Sequence, residues 1–257
     1  MENLFFTDKG SGTPVVLLHG FCESHIIWDE LSQELSSSFR VLCPDLPGFG
    51  QNGSLGKSNY GLEEVSNSIN TWLEELGIDK CILIGHSLGG YITLSFAEGF
   101  PEKLLGFGLF HSTSYEDTPA KKETRNKVIS FLESHGANEF TDTFVPGLFY
   151  HKSEEIQKNI DILVEDARSC SKESLIAYTR AMRDRPDRSH LLNMGIPILF
   201  ICGEKDGAVP IEQSRLQTRE LDPKFIHFLS QTGHMGMFER KEETSKMVSD
   251  FLHQFAS

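Results

Sequence analysis

The hexapeptide Gly-His-Ser-Leu-Gly-Gly at residues 85–90 follows a short apolar run at residues 81–84 and opens a helical stretch that continues toward Gly99. A Gly-x-Ser-x-Gly pattern between a strand and a helix is typical of a sharp turn that carries a nucleophilic serine at the edge of a sheet. The helix after such a turn directs free backbone N–H groups and the positive end of its dipole toward the serine. We therefore predict that Ser87 is a catalytic nucleophile.

The rest of the chain alternates between apolar, strand-like runs and amphipathic helical segments. Several of the apolar runs show no polar alternation, as expected of strands that are covered on both faces of a mostly parallel sheet. This alternation predicts an α/β fold with a mostly parallel central sheet, right-handed crossovers and flanking helices. The predicted strands are residues 4–7, 15–18, 41–43, 81–84, 104–110, 198–202 and 225–229.

One region interrupts this alternation. Residues 112–190 contain no convincing strand but several helical stretches, around Val128, Ile156 and Leu175. Because this region lies between two predicted strands, we interpret it as a helical insertion in a single core domain. The predicted domains are a core of residues 1–111 and 191–257 and a helical cap of residues 112–190.

A serine hydroxyl becomes a good nucleophile only when a base removes its proton. His234 follows the last predicted strand and precedes the last helix, so its loop lies at the same sheet edge as Ser87. Asp206 directly follows the strand 198–202 and is predicted to orient the histidine. Glu204 is the alternative carboxylate, but Asp206 has the better-placed neighbouring glycine. The chain order of serine, aspartate and histidine differs from that of the trypsin and subtilisin types.

The negatively charged oxygen of a tetrahedral intermediate needs preorganised donors, which commonly contribute about 3 kcal/mol to the barrier reduction. One predicted donor is the backbone N–H of Leu88, the residue after the nucleophile. The second is the N–H of Phe21, in the His-Gly-Phe-Cys loop at residues 19–22. The ring of Phe21 is expected to line the acyl pocket. Cys22 lacks the turn of a nucleophile and is interpreted as an inert lining residue.

Composition narrows the classes of partner. The chain has 24 basic and 37 acidic residues and a formal charge of −13, which argues against nucleic acid or an anionic membrane as a partner. Its five cysteines are scattered without metal-ligand spacing, so neither a disulfide framework nor a metal site is predicted. The start at Met1 lacks the pattern of a signal peptide, and a cytoplasmic location is expected.

Several motifs together resemble the α/β-hydrolase superfamily, in its branch of lidded carboxylesterases and C–C bond hydrolases. The resemblance implies the triad Ser87, Asp206 and His234, with Phe21 and Leu88 as oxyanion donors. It also implies that residues 112–190 cover the active site. Serine at position 87 disfavours the haloalkane dehalogenases and epoxide hydrolases, which use a carboxylate nucleophile. The matching stretches are residues 19–21, 45–50, 85–90, 203–206 and 233–234.

The predicted function is a serine esterase that cleaves small or medium acyl esters through an acyl-enzyme, without a cofactor. C–C bond hydrolysis or elimination by the same triad is an alternative, as is a ligand-sensing protein that keeps the triad. A carboxylate substrate of a C–C hydrolase would require arginine side chains near the triad. The cap contains four clustered arginines: Arg180, Arg183, Arg185 and Arg188. We interpret them instead as ion-pair partners of nearby acidic residues. The sequence does not indicate an oligomeric state.

Overall fold

A seven-stranded sheet forms the centre of the computed structural model, which describes residues 4–53, 55 and 60–255. The order across the sheet is β1-β3-β2-β4-β5-β6-β7; β1 is antiparallel to β3, and the other neighbouring strands are parallel. The mostly parallel sheet predicted from the sequence is confirmed. The strands are β1 (Phe6–Lys9), β2 (Pro14–Leu18), β3 (Arg40–Pro44), β4 (Cys81–His86), β5 (Leu104–Phe110), β6 (Ile198–Gly203) and β7 (Ile226–Leu229).

Helices cover both faces of this sheet. In the described part of the chain they are α1 (Asp29–Leu35), α2 (Leu62–Glu75), α3 (Leu88–Gly99), α4 (Pro119–His135), α5 (Ala137–Gly147), α6 (Glu154–Ala167), α7 (Lys172–Asp184), α8 (Ile211–Gln217), α9 (Gly236–Glu239) and α10 (Lys241–Leu252). Helix α2 packs on α3, and α1 packs on α10. Every residue of β4 is buried, which requires cover on both faces. None of the described helices is long and apolar enough to cross a membrane. The prediction that the chain lacks a signal peptide used residues 1–3, which lie outside the described residues.

The parallel strands bring the candidate site residues to one edge of the sheet. Ser87 follows β4 directly, His111 follows β5, and Asp206 lies three residues after β6. His234 lies in the loop after β7. Because parallel strands end at the same edge, side chains that are distant in sequence meet above the carboxyl ends of the strands.

Four helices, α4 to α7, lie between β5 and β6, where the sequence predicts a helical insertion. Hydroxyl side chains cap three of them: Thr118 accepts from the N–H of Lys121, and Ser153 and Ser171 begin α6 and α7 in the same way. The sequence analysis identified helical stretches within α4, α6 and α7 but did not separate α5, which begins directly after Gly136.

Two arginines join the insertion to the core. Arg185 lies 2.8 Å from the carboxylate of Asp117, within the insertion, and 4.0 Å from the ring centre of Tyr91 on α3 of the core. Arg188 contacts the core carboxylates of Glu63 at 2.5 Å and Glu98 at 2.9 Å. These contacts agree with the interpretation of Arg185 and Arg188 as ion-pair partners of acidic residues.

We expect Gly89→Ala to destabilise the fold, because a Cβ at this position would lie 2.5 Å from the carbonyl oxygen of Leu18 and 2.7 Å from that of His19. Backbone atoms cannot rotate away, so the loss should be about 1–3 kcal/mol in unfolding free energy, measured by urea denaturation. Gly99→Ala in the same helix is the matched control, because a Cβ there meets no atom within 4 Å. Equal stability of the two variants would contradict the packing argument.

Candidate active site

Ser87 occupies a strained turn between β4 and α3. Its φ of 51° and ψ of −112° lie in a region that residues with a side chain rarely adopt. The Ser87 N–H donates to the carbonyl of Phe110 at 3.0 Å, and the hydroxyl of Ser112 donates to the Ser87 carbonyl at 2.7 Å. A Cβ on Gly85 would overlap the backbone carbonyl of Gly89, so the turn requires glycine two residues before the serine.

Asp206 and His234 form a buried hydrogen-bonded pair. Nδ1 of His234 lies 2.7 Å from Oδ2 of Asp206, while Oδ1 accepts the N–H groups of Ala208 and Val209 at 2.8 and 2.9 Å. Glu204, the alternative carboxylate, instead contacts Arg215 on α8 at 2.9 Å. The structure therefore places Asp206, and not Glu204, against His234.

A second histidine, which the sequence analysis did not assign to the site, shares the same carboxylate. Nδ1 of His111 lies 3.2 Å from Oδ2 of Asp206. Burial would raise the pKa of Asp206, but the electrostatic interaction with His234 and the hydrogen bonds from both histidine rings outweigh it and hold that pKa well below its usual range. Asp206 thus remains an acceptor for both histidines. Burial in turn lowers the pKa of His111 to about 4, only partly opposed by Asp206, so His111 is neutral at pH 7.

The backbone of His234 is fixed from two sides. Its carbonyl oxygen lies 2.9 Å from Nε2 of His86, the residue before the nucleophile, and its N–H donates to the carbonyl of Leu148 at 2.8 Å. Among the described residues, the Ser87 hydroxyl has no hydrogen bond to His234. The structure thus brings the histidine loop to the serine turn without a formed Ser–His hydrogen bond, as is common in hydrolases before substrate binds.

The two predicted oxyanion donors lie on adjoining loops. A Cβ on Gly89, next to Leu88, would contact the carbonyls of Leu18 and His19, so the start of α3 packs directly on the loop that contains Phe21. Neither the Leu88 N–H nor the Phe21 N–H donates to another described residue. Both donors are therefore free to bind an oxygen atom.

Glu23 lies in this loop and contacts the serine turn. Its Oε2 lies 2.9 Å from Nδ1 of His86 and accepts the N–H of Gly20 at 2.5 Å. The sequence analysis assigned no role to Glu23 or His86, because a carboxylate–histidine contact across 63 residues leaves no local pattern.

Asp45 and Cys22 take structural positions. The Asp45 carboxylate accepts the N–H groups of His25 and Gln51, each at 2.8 Å, and so joins the loops that follow β2 and β3. Burial raises the pKa of the Cys22 thiol well above its usual range. A thiol in that state is a weak nucleophile.

Aromatic side chains of the insertion lie against the oxyanion loop. The ring of Phe21 packs edge-on to Phe140 and Phe144 of α5, with ring-centre distances of 6.1 and 5.7 Å. Phe21 also contacts Phe49 from the core at 6.2 Å. Helix α5 therefore lies beside one predicted oxyanion donor.

One group of side chains has the composition of a metal site. Potential ligand atoms of His111, Asp206 and His234 lie within 4.8 Å of one another. The two Nδ1 atoms and Oδ2 are the atoms that already form the hydrogen bonds between these residues. The arrangement fits hydrogen-bonded histidines on one carboxylate, and we assign it no metal.

We expect His111 to make the fold less stable as the pH falls. An unfolded His111 binds a proton near pH 6.5, whereas the folded ring resists protonation down to about pH 4, so the unfolded state gains protons first in this window. His111→Gln removes this effect. Its unfolding free energy relative to the wild type should rise by roughly 3 kcal/mol between pH 7 and pH 4, measured by urea denaturation.

The control for this prediction is His135→Gln, which replaces an exposed histidine at the end of α4. Its stability should follow that of the wild type across the range. Parallel curves for His111→Gln and the wild type would contradict the assignment of a neutral, buried His111.

Comparisons with a family model and with curated proteins both find similarity to hydrolases. A family model described as the alpha/beta hydrolase fold matches residues 13–112. The uncharacterized hydrolase YugF of Bacillus subtilis is 26% identical over 93% of this chain and 89% of its own length. A 2-hydroxy-6-oxo-2,4-heptadienoate hydrolase of Pseudomonas putida is 25% identical over 95% of this chain and 91% of its own.

Among solved structures, a thermophilic esterase from Thermogutta terrifontis matches with a TM-score of 0.89 and 27% identity, covering 99% of this chain and 94% of that one. An enol-lactonase from Burkholderia xenovorans shares the fold, with a TM-score of 0.85 at 20% identity. With the strand order and the serine turn described above, these likenesses identify the chain as a hydrolase of the α/β-hydrolase superfamily.

Proposed function

We propose that the protein is a serine esterase that cleaves small or medium acyl esters through an acyl-enzyme. Ser87 attacks the ester carbonyl while His234 takes the serine proton, and Asp206 holds the imidazole and stabilises its cation. The N–H groups of Phe21 and Leu88 bind the developing oxyanion. His234 then returns the proton to the leaving alcohol.

The second half of the reaction uses the same groups. His234 removes a proton from a water molecule, the resulting hydroxide attacks the acyl carbonyl, and Ser87 leaves with the proton of His234. The acid is released and the enzyme returns to its starting state. Every proton is held by a residue of this chain, so the proposed reaction requires no cofactor.

The observation that carries the proposal is the buried Asp206–His234 pair beside a serine in a strained turn. Strain at Ser87 is costly, by about 1–3 kcal/mol, and such conformations concentrate at catalytic positions. The Asp206 carboxylate accepts from four donors and stays ionised, as an orienting aspartate must. The similarity to the Thermogutta terrifontis esterase over 99% of the chain supports ester chemistry.

Hydrolysis of a C–C bond is the second candidate, favoured by the similarity to the heptadienoate hydrolase of Pseudomonas putida. The substrate named for that enzyme is an anion, which would need a cation in the pocket. In this chain Arg185 and Arg188 are buried against carboxylates of their own, and Arg183 pairs with Asp184. These contacts favour an uncharged ester over an anionic dienoate.

We further propose that residues 112–190 form a cap that shapes the acyl pocket. Phe140 and Phe144 of α5 contact Phe21, so the acyl group of an ester bound at Ser87 would meet an apolar wall. The cytoplasmic location and the absence of nucleic acid or membrane partners remain predictions from composition.

The proposal predicts a burst of p-nitrophenol from p-nitrophenyl esters, followed by slower steady turnover, because acylation of Ser87 precedes hydrolysis. Ser87→Ala should lose the burst and lower kcat by about a million-fold, as for nucleophile removal in other serine hydrolases. Ser95→Ala, which replaces another buried serine of α3, should keep both phases. Comparing kcat/KM for the butyrate, octanoate and palmitate esters would show which acyl-chain length the pocket accepts.

Two outcomes would overturn ester hydrolysis. Turnover retained by Ser87→Ala would exclude Ser87 as the nucleophile. Labelling of wild-type Ser87 by a fluorophosphonate without hydrolysis of any ester would show an active serine with another substrate, and assays with 2-hydroxy-6-oxo-dienoates would then test C–C cleavage.

A further inference from the structure

Glu23 and His86 form a second carboxylate–histidine pair, distinct from Asp206 and His234. His86 is 0% exposed and Glu23 is 4% exposed, so neither side chain reaches bulk water. Their contact joins Nδ1 of His86 to Oε2 of Glu23 at 2.9 Å. A buried carboxylate is costly unless it is paired and hydrogen-bonded. The pair therefore depends on both members.

The contacts of the His86 ring fix its protonation. Nε2 faces the carbonyl oxygen of His234 at 2.9 Å, and a carbonyl only accepts, so Nε2 carries a proton. Burial opposes the charge on each group of the pair. The Glu23 charge nevertheless raises the pKa of His86, and the His86 charge lowers the pKa of Glu23. Nδ1 is then also protonated, and the pair is an imidazolium and a carboxylate.

This ion pair connects three loops around Ser87. Glu23 holds the oxyanion loop through the N–H of Gly20, the residue before Phe21, at 2.5 Å. His86 belongs to the serine turn and donates to the backbone of His234. Packing at this junction is tight, since a Cβ on Gly20 would lie 2.7 Å from Oε2 of Glu23 and 2.8 Å from Nδ1 of His86.

We propose that Glu23 and His86 are positioning residues for acyl transfer, which set the Phe21 donor and the His234 base at their working positions about Ser87. This inference rests on the proposed serine mechanism. Neither residue touches the reacting atoms; each acts through a backbone that it holds. Because misplacement of a catalytic group by about 1 Å costs on the order of 100-fold in rate, loss of the pair should slow the chemistry more than it weakens substrate binding.

The test measures the second-order rate at which a fluorophosphonate labels Ser87, because labelling needs the triad but no ester substrate. His86→Phe keeps an aromatic ring but loses both hydrogen bonds, and it should label about 10- to 100-fold more slowly. Glu23→Gln keeps the side-chain shape and loses the charge, and it should label several-fold more slowly. Glu204→Gln, a carboxylate at the same sheet edge that pairs with Arg215, should match the wild type.

A further readout separates positioning from simple structural support. In ester assays both variants should lower kcat with little change in KM, since the pair acts on groups that work in the transition state. Rates are compared per folded molecule, with folding checked by circular dichroism and thermal denaturation.

The inference is overturned if folded Glu23→Gln and His86→Phe both label at the wild-type rate, or if the loss in ester assays falls on KM and leaves kcat unchanged. Should His86→Phe fail to fold, Glu23→Gln alone decides the question. A wild type that labels but cleaves no ester would overturn the ester proposal and leave this comparison intact. A wild type that does not label at all would overturn both.

Discussion

The left-handed backbone of Ser87 is the constraint on which the rest of the site depends. A residue with a side chain holds this conformation only where its surroundings fix it, and here hydrogen bonds to Phe110 and from Ser112 secure both backbone groups of the serine. The same turn requires glycine at position 85, because the backbone of Gly89 fills the space of a Cβ. Among the described residues, the N–H of Leu88 at the start of α3 donates to no partner. The proposed nucleophile and the proposed oxyanion donor at Leu88 thus depend on one backbone geometry.

Buried charge is the second organising feature. The buried carboxylates of Glu23 and Asp206 and the rings of His86, His111 and His234 lie at one sheet edge in a chain with a formal charge of −13. Each of these two carboxylates is surrounded by donors: Asp206 by two rings and two backbone N–H groups, and Glu23 by one ring and the N–H of Gly20. The pKa values of two rings move in opposite directions, because Glu23 raises the pKa of His86 while burial lowers that of His111. Neighbouring imidazoles therefore serve different roles through their partners alone.

The sequence was sufficient to predict the parallel sheet and to locate Ser87, Asp206 and His234. Each of these residues follows an apolar strand directly or by a short loop, so its position relative to the sheet edge could be derived locally. The contacts of Glu23 and His86 could not be found in this way. His111 follows β5 directly, so its place at the sheet edge could be derived, but its contact with Asp206 could not. His86 is 63 residues from Glu23 and 148 from His234, and no local pattern specifies which of ten histidines meets which carboxylate.

Helix α5 was missed for a related reason. It is 11 residues long, follows α4 after a single glycine and contains Pro146, so it shows neither a clear start nor a regular apolar stripe in the sequence. Its place is set by tertiary contacts of Phe140 and Phe144 with Phe21. Such contacts depend on where the preceding chain has already placed the core.

The insertion also takes part in holding His234, the proposed base. One carboxylate oxygen of Glu239 accepts the N–H of Gly233, and the other accepts the N–H groups of Tyr150 and His151. The carbonyl of Leu148 accepts the N–H of His234. The segment after α5 is thereby joined to the histidine loop by backbone hydrogen bonds. His234 is held on one side by His86 of the core and on the other by Leu148 of the insertion. In the proposed mechanism, sequence changes in the insertion would therefore affect the position of the base as well as the shape of the acyl pocket, and this would couple substrate selection to the geometry of proton transfer.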